Sequence, residues 1–307
     1  MKRIGTTDLT VHPLCLGGNV FGWGADEAES FRVLDAYADA GGNFVDTADV
    51  YSAWVDGNEG GESEAIIGRW MAARGNRDRM VIATKVGMKT GLDNLRPDTI
   101  RAAADASLER LGVDHIDLYY AHTDDAETPI AETLGAFGQL VDAGKVRHIA
   151  ASNFSGGRLR ESAAVAEAEG LPRYVAYQPH YNLLEREVEE AVLPASADLG
   201  LATFPYFSLA SGFLTGKHRD GEAAESMRGS RVEKYADARG DRVLSAMDTI
   251  ADARSVGLAT IALAWLAQRP TVVSPIASAR TVDQLPDLLA LADLELTAEE
   301  MALLEEV

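Results

Sequence analysis

The sequence predicts an α/β protein built as a closed (β/α)8 barrel, with an N-terminal β-hairpin and a long loop after the seventh strand. Three observations predict it. Short apolar runs alternate with amphipathic stretches of helical period along the chain, which means βαβ units and a parallel sheet. Eight such runs fit into 307 residues, the proportion of a closed barrel. The runner-up, an open doubly wound sheet, usually carries a G-x-G-x-x-G loop after its first strand. None occurs here, and "LGGNVFGWG" has glycines at the wrong spacing.

The elements follow in order. "KRIGTTDLTVHPLCLGG" reads as a short hairpin and then a strand ending at Gly17-Gly18. A helix over Glu27–Ala40 places Phe31, Leu34, Tyr37 and Ala38 on one stripe. "NFVDTA" is the next strand, and the glycine-rich "DGNEGGESE" turns into a helix starting at Ser63. "MVIATKV", "IDLYYAH", "VRHIAASN", "YVAYQPHY", "LATFPYF" and "TVVSPIAS" are the remaining strands. Between them lie helical stretches such as "PDTIRAAADASLERL", opened by proline, and others closed by glycine. The polar connection Ser208–Gly240 reads as a lid beside a site, because loops of that size are usually functional or disordered. No linker interrupts the pattern, so residues 1–307 are expected to form one barrel domain.

Composition narrows the function. Lys and Arg total 28 against 48 Asp and Glu, a formal net charge of −20, which disfavours nucleic acid and anionic membranes as partners. Cys15 stands alone, which fits a reducing cytoplasm, and no stretch approaches a membrane-spanning length. The N-terminus lacks the apolar segment of a secretory signal. The histidines form no metal-binding spacing, so no metal is expected.

Buried strands should end apolar unless a site needs otherwise. Here Asp46, Lys85, His122, Ser152-Asn153, Gln178, Tyr206 and Ser278 close successive runs, all at the carboxyl end where a barrel builds its site. Singly, each has a plain reading as a turn cap, a snorkelling lysine or a core histidine. Seven in register do not. The chemistry open to them is proton transfer. A tyrosine is a poor acid at neutral pH, and a nearby ammonium stabilises its phenolate. We therefore expect Asp46 to hold Lys85, Lys85 to tune Tyr51, and Tyr51 with His122 to polarise a carbonyl.

Together "FVDTADVY", "IATKVG", "YYAHTDD", "ASNFS", "YQPHYN", "YFSLASGFLTGK" and "ASARTVDQL" resemble the aldo-keto reductase superfamily over nearly the whole chain. The resemblance implies a (β/α)8 barrel that binds an extended nicotinamide cofactor, with Asp46, Tyr51, Lys85 and His122 as the catalytic tetrad. It implies that Ser152, Asn153 and Gln178 hold the carboxamide and that Tyr206 stacks on the nicotinamide. It implies a pyrophosphate loop containing Ser208, Leu209, Ser211 and Lys217. Ser278, Arg280 and Gln284 match positions near the adenosine 2′-phosphate. Many relatives carry Glu-Asn where this chain has Asp287-Leu288; Asp287 replaces the acid and Leu288 supplies no amide.

The expected activity is reduction of aldehydes or ketones by hydride from NADPH, with Tyr51 as general acid. NADPH is expected over NADH because Arg280 offers a fork suited to phosphate, and no carboxylate occupies 278–282. Trp23, Trp54 and His180, with neighbouring Tyr181, are candidates for the mouth that receives an uncharged carbonyl substrate. Two other readings stay open. One is a cofactor-binding regulatory or sensor subunit with low turnover. The other is a metal-free lyase or isomerase on the same barrel.

Overall fold

The computed structural model describes residues 1–218 and 232–306. Strands β1 (Lys2–Arg3) and β2 (Thr10–Val11) pair antiparallel as the expected hairpin. The main sheet has eight parallel strands. They are β3 (Cys15–Gly17), β4 (Phe44–Asp46), β5 (Val81–Val86), β6 (Ile116–Ala121), β7 (Val146–Ser152), β8 (Ala176–Gln178), β9 (Ala202–Thr203) and β10 (Ile276–Ala277). They pair in chain order from β3 to β9, and β10 returns beside β3. The ring closes through backbone bonds. Thr203 N donates to Thr271 O at 2.8 Å, Val273 N to Thr203 O at 3.0 Å, and Ile276 N to Pro205 O at 2.9 Å.

The period-2 alternation of a strand sorts its side chains. Cys15, Phe44, Val81, Ala83, Leu118, Tyr120, Ala150, Ala176, Ala202, Phe204 and Ile276 share one cluster inside the ring. Their neighbours Leu16, Val45, Ile82, Tyr119, Ile149, Ala151, Tyr177 and Ala277 pack outward under the helices. Both faces are covered, so β5 and β6 are buried at every position. Ile4, Leu9 and Val11 of the hairpin join the inner cluster and plug the amino end.

That amino end also carries charge. Asp117 of β6 is 1% exposed. It accepts from Arg77 at 2.8 Å, from Arg147 at 2.7 Å and from Ile82 N at 2.9 Å. Arg147 extends to Asp8 at 2.6 Å, and His148 meets the same carboxylate at 2.9 Å, tying the hairpin to the barrel.

The helices begin and end where chain chemistry dictates. Helix α1 (Glu27–Asp39) is capped by Asp26, and α3 (Pro97–Leu111) opens on proline and closes on left-handed Gly112. Two sequence expectations need correction. The buried stripe of α1 is Ser30, Val33, Leu34 and Tyr37; Phe31 and Ala38 are only half-buried at its margins. Ser63 does not start α2 (Glu62–Arg74), whose cap is Gly61. Its hydroxyl is buried, accepting from Thr47 at 2.8 Å and donating to Gly18 O at 2.8 Å.

The connection after β9 is less open than its polarity suggested. A 3-10 helix runs over Ala210–Thr215 and buries Phe213 and Leu214, and the helix Ala238–Arg254 ends the segment. The centre of the expected lid, 219–231, lies outside the described residues. Among the described residues no single helix is long and apolar enough to cross a membrane.

Candidate active site

Strand parity explains why the polar residues converge. Asp46 follows Phe44 by two, Lys85 follows Ala83, His122 follows Tyr120, Ser152 follows Ala150, Gln178 follows Ala176, Tyr206 follows Phe204 and Ser278 follows Ile276. Each is the next inward position after an inner-cluster residue, at the carboxyl end. The eighth strand end, Gly17 of β3, carries no side chain. A Cβ there would fall 2.6 Å from Ser278 Oγ, so a larger residue would displace that side chain.

Lys85 is 0% exposed and Asp46 2%. Lys85 Nζ donates to Asp46 Oδ2 at 2.7 Å, to Thr47 O at 2.7 Å and to Tyr51 Oη at 3.0 Å. Gln178 Nε2 donates to the other carboxylate oxygen, Oδ1, at 2.8 Å. Tyr51 Oη also lies 3.2 Å from Asp46 Oδ2. Such a buried pair is tolerable only because both ions are hydrogen-bonded several times over.

One expectation is outweighed by burial. Lys85 was expected to lower the Tyr51 pKa. Burial instead pushes the phenol well above its ordinary range, and the Asp46 carboxylate beside it pushes the same way. Tyr51 is consequently protonated at neutral pH.

His122 faces Tyr51, with ring centroids 6.2 Å apart. Burial and the charge of Lys85 hold its imidazole well below the usual range, so it is neutral. Asn153 sits in left-handed backbone, φ 57°, which asparagine tolerates. Its amide donates to His122 O at 2.8 Å and to Ser152 Oγ at 3.2 Å, and its Oδ1 accepts from Tyr206 at 2.8 Å. Ser152 in turn donates to Gln178 O at 2.9 Å.

The aromatic candidates divide. Trp23 and Trp54 meet edge to face at 5.6 Å, and Trp54 lies 6.2 Å from the Tyr51 ring. Trp54 is 50% exposed, so the pair reaches from the Tyr51 ring to solvent. His180 stacks on Tyr206 at 5.3 Å with 15° between planes, and so backs that ring. Tyr181 is not at the mouth. It is fully buried, donates to Glu189 at 2.6 Å and packs on Trp265.

The outer candidates are placed as follows. Ser208 is buried and donates to Pro205 O at 3.0 Å. Leu209 is half-buried against the core, and Ser211 sits in left-handed backbone next to Gly212. A Cβ on Gly212 would lie 3.6 Å from Lys217 Nζ, so the ammonium folds over that turn. Ser278 donates to Asn19 Oδ1 at 2.6 Å. Gln284 is occupied locally, its Oε1 accepting from Arg280 N at 2.8 Å. The Arg280 side chain is half-exposed and forms no ion pair among the described residues. The Asp287 carboxylate lies beside Gly257, where a Cβ would come within 2.8 Å of it. Leu288 is buried in the core.

Sequence reasoning missed Asn19, although a polar residue just after Gly17-Gly18 carries the same strand-end signal as the others. It also missed Asp49 and Glu64, both fully buried.

Known proteins place this arrangement. The aldo/keto reductase family model matches residues 13–307. An uncharacterized oxidoreductase, YrpG, of Bacillus subtilis is 38% identical, covering 99% of this chain and 94% of its own length. Norsolorinic acid reductase B of Aspergillus parasiticus is 33% identical over 97% of this chain and 81% of its own. An aryl-alcohol dehydrogenase of Pestalotiopsis microspora is 30% identical over 98% and 79%. A ring of eight parallel strands with an Asp–Lys–Tyr–His constellation at its carboxyl end, matched to the family along nearly its whole length, makes this chain a member of the aldo/keto reductase family.

Proposed function

We propose that the protein reduces aldehyde or ketone carbonyls with NADPH, using Tyr51 as general acid. The observation that carries this reading is the three-way contact of Lys85 Nζ with Asp46, Thr47 O and Tyr51 Oη. It accounts for a phenol that is protonated at rest and can still release its proton. As charge develops on Tyr51 Oη, the Lys85 N–H already aimed at it stabilises the phenolate. Asp46, clamped by Gln178, orients Lys85. His122 is neutral and beside Tyr51, so it can share the substrate oxygen without adding charge.

The residues fit a nicotinamide nucleotide. Tyr206 presents a flat ring backed by His180 and tethered by Asn153, a suitable platform for a planar heterocycle. Arg280 and Lys217 are the cations that would meet phosphates despite the acidic surface. When bound, such a cofactor supplies hydride to the carbonyl carbon. The Trp23–Trp54 mouth suits an uncharged, apolar carbonyl compound. The relatives named for norsolorinic acid and aryl alcohols favour an aromatic one.

The test is NADPH oxidation against a panel of aldehydes and ketones, aryl compounds included. Turnover that Tyr51→Phe abolishes supports the reading. Tight NADPH binding without turnover on any carbonyl would overturn it in favour of a cofactor-binding regulatory subunit.

A further inference from the structure

Tyr51 reaches Lys85 because of a tight turn. Tyr51 N donates to Ala48 O at 3.2 Å, which makes Asp49 and Val50 the two corner residues. Asp49 N lies 3.4 Å from Lys85 O, pinning the corner to β5. The side chain at that corner is a carboxyl group with 0% exposure, and neither oxygen has a hydrogen-bond partner among the described residues.

The surroundings decide its charge. Glu64 of α2, also 0% exposed, accepts from Arg110 of α3 at 2.6 Å and from Thr84 of β5 at 2.5 Å. The Arg110 charge is thereby taken by Glu64. Lys89, after β5, is tied to Gly60 O at 2.9 Å, and Lys85 is committed to Asp46. Tyr119 of β6 adds a buried hydroxyl, likewise without a partner among the described residues. Two buried carboxyl groups therefore share one committed arginine. An ionised Asp49 would be an unsolvated anion beside Glu64, a cost that is avoided by keeping the proton. Burial and then Glu64 push the Asp49 carboxyl up to about 7.

We propose that Asp49 is a positioning residue that works as the neutral acid, and that its ionisation displaces the Ala48–Tyr51 turn and so withdraws Tyr51 from Lys85. The proposal rests on Tyr51 being the proton donor. On ionisation, Glu64 repels the new carboxylate while Lys89 and Arg110 attract it, and the turn is held at its corner by two long backbone bonds, Tyr51 N to Ala48 O at 3.2 Å and Asp49 N to Lys85 O at 3.4 Å. The Tyr51 phenol titrates far higher, so a fall in rate near neutrality belongs to Asp49.

The experiment compares wild type with Asp49→Asn from pH 5 to pH 9, by thermal denaturation and by kcat. Asp49 holds its proton in the folded protein to about pH 7 and in the unfolded chain only to about pH 4. The wild-type folding equilibrium should therefore weaken by up to about tenfold per pH unit across that window, and level off above it. Asparagine removes this slope, so the Tm of Asp49→Asn should gain on wild type as pH rises from 5 to 7. Wild-type kcat should fall across neutrality, and the variant should lose that fall. A Tm difference that is flat with pH overturns the neutral-acid assignment, and does so without reference to any substrate. A sloping Tm difference with superimposable kcat profiles overturns the positioning role. If Asp49→Asn does not fold, carboxyl 13C NMR of wild type decides. An aspartate signal still protonated at pH 6 supports the proposal, and its absence overturns it. Absence of turnover in both proteins would bear on the proposed reductase activity, and the Tm comparison would still stand.

Discussion

At the amino end of the barrel, Asp117 is 1% exposed and meets two arginines and a backbone N–H. At the carboxyl end, Asp46 is 2% exposed and meets a lysine, a glutamine and a tyrosine. The two carboxylates are equally buried, and their partners differ. The side chains of Arg77 and Arg147 are 17% and 36% exposed, so their charges keep some water. Lys85 keeps none. At the amino end the chain of contacts runs outward to Asp8 and His148, and it ends in structure. At the carboxyl end it runs to Tyr51, whose ring faces His122. A buried carboxylate thus belongs to a structural staple or to the candidate site according to what its cation touches next.

The sharpest test of that contrast is Tyr51→Phe. It keeps the ring beside Trp54 and deletes the oxygen that Lys85 contacts. Turnover should fall by about 10²–10⁴-fold, the range of a positioned general acid, with thermal stability near wild type. Near-normal turnover would remove the chemical half of the comparison.

The next pair of variants compares the two ends directly. Lys85→Met strands Asp46 without its cation and should cost about 3–5 kcal/mol by chemical denaturation, with activity lost. Asp117→Asn leaves two arginines that can regain water, and should cost about 1.5–3 kcal/mol with kcat unchanged. Equal stability losses, or a lower kcat in Asp117→Asn, would show that the two ends are not separable.

Arg280 extends the test to the rim of the carboxyl end. Arg280→Ala should weaken NADPH by about 1.5–3 kcal/mol and barely change NADH, measured as dissociation constants for each cofactor. Equal loss for both would mean that Arg280 only shapes its turn, as Gln284 does.

The smallest effect belongs to Asp8. His148 and then Arg147 hold its carboxyl down at about 2. A depressed carboxyl stabilises the fold above its unfolded pKa, and the contribution is lost as pH falls from about 4 toward 2. Asp8→Ala should therefore lower Tm slightly at pH 7 and not at pH 2. Asp8 itself is mostly exposed, so the loss should stay under about 1 kcal/mol. A difference that persists at pH 2 would assign the effect to packing of the hairpin.

The barrel and the convergence of most candidate-site residues were legible in the chain, because both follow from local periodicity. Strand alternation fixes which residues face inward, and a polar residue at the last inward position announces itself in any strand read alone. Asp46, Lys85, His122, Ser152, Gln178 and Tyr206 were found in that way, and Tyr51 by its distance from Asp46. What only the tertiary structure decided depends on neighbours distant in sequence. The direction of the Tyr51 shift turns first on burial and then on the Asp46 carboxylate beside the phenol, and no spacing encodes either. Tyr181 looked like a mouth residue until Glu189, Trp265 and Arg269 were seen around it. Ser278 finds Asn19 across 259 positions, and Asp49 is buried beside Glu64 because α2 and α3 close over the turn. Burial and electrostatic coupling are properties of packed surfaces, so sequence determines which groups reach the site, and packing determines their charge and their partners.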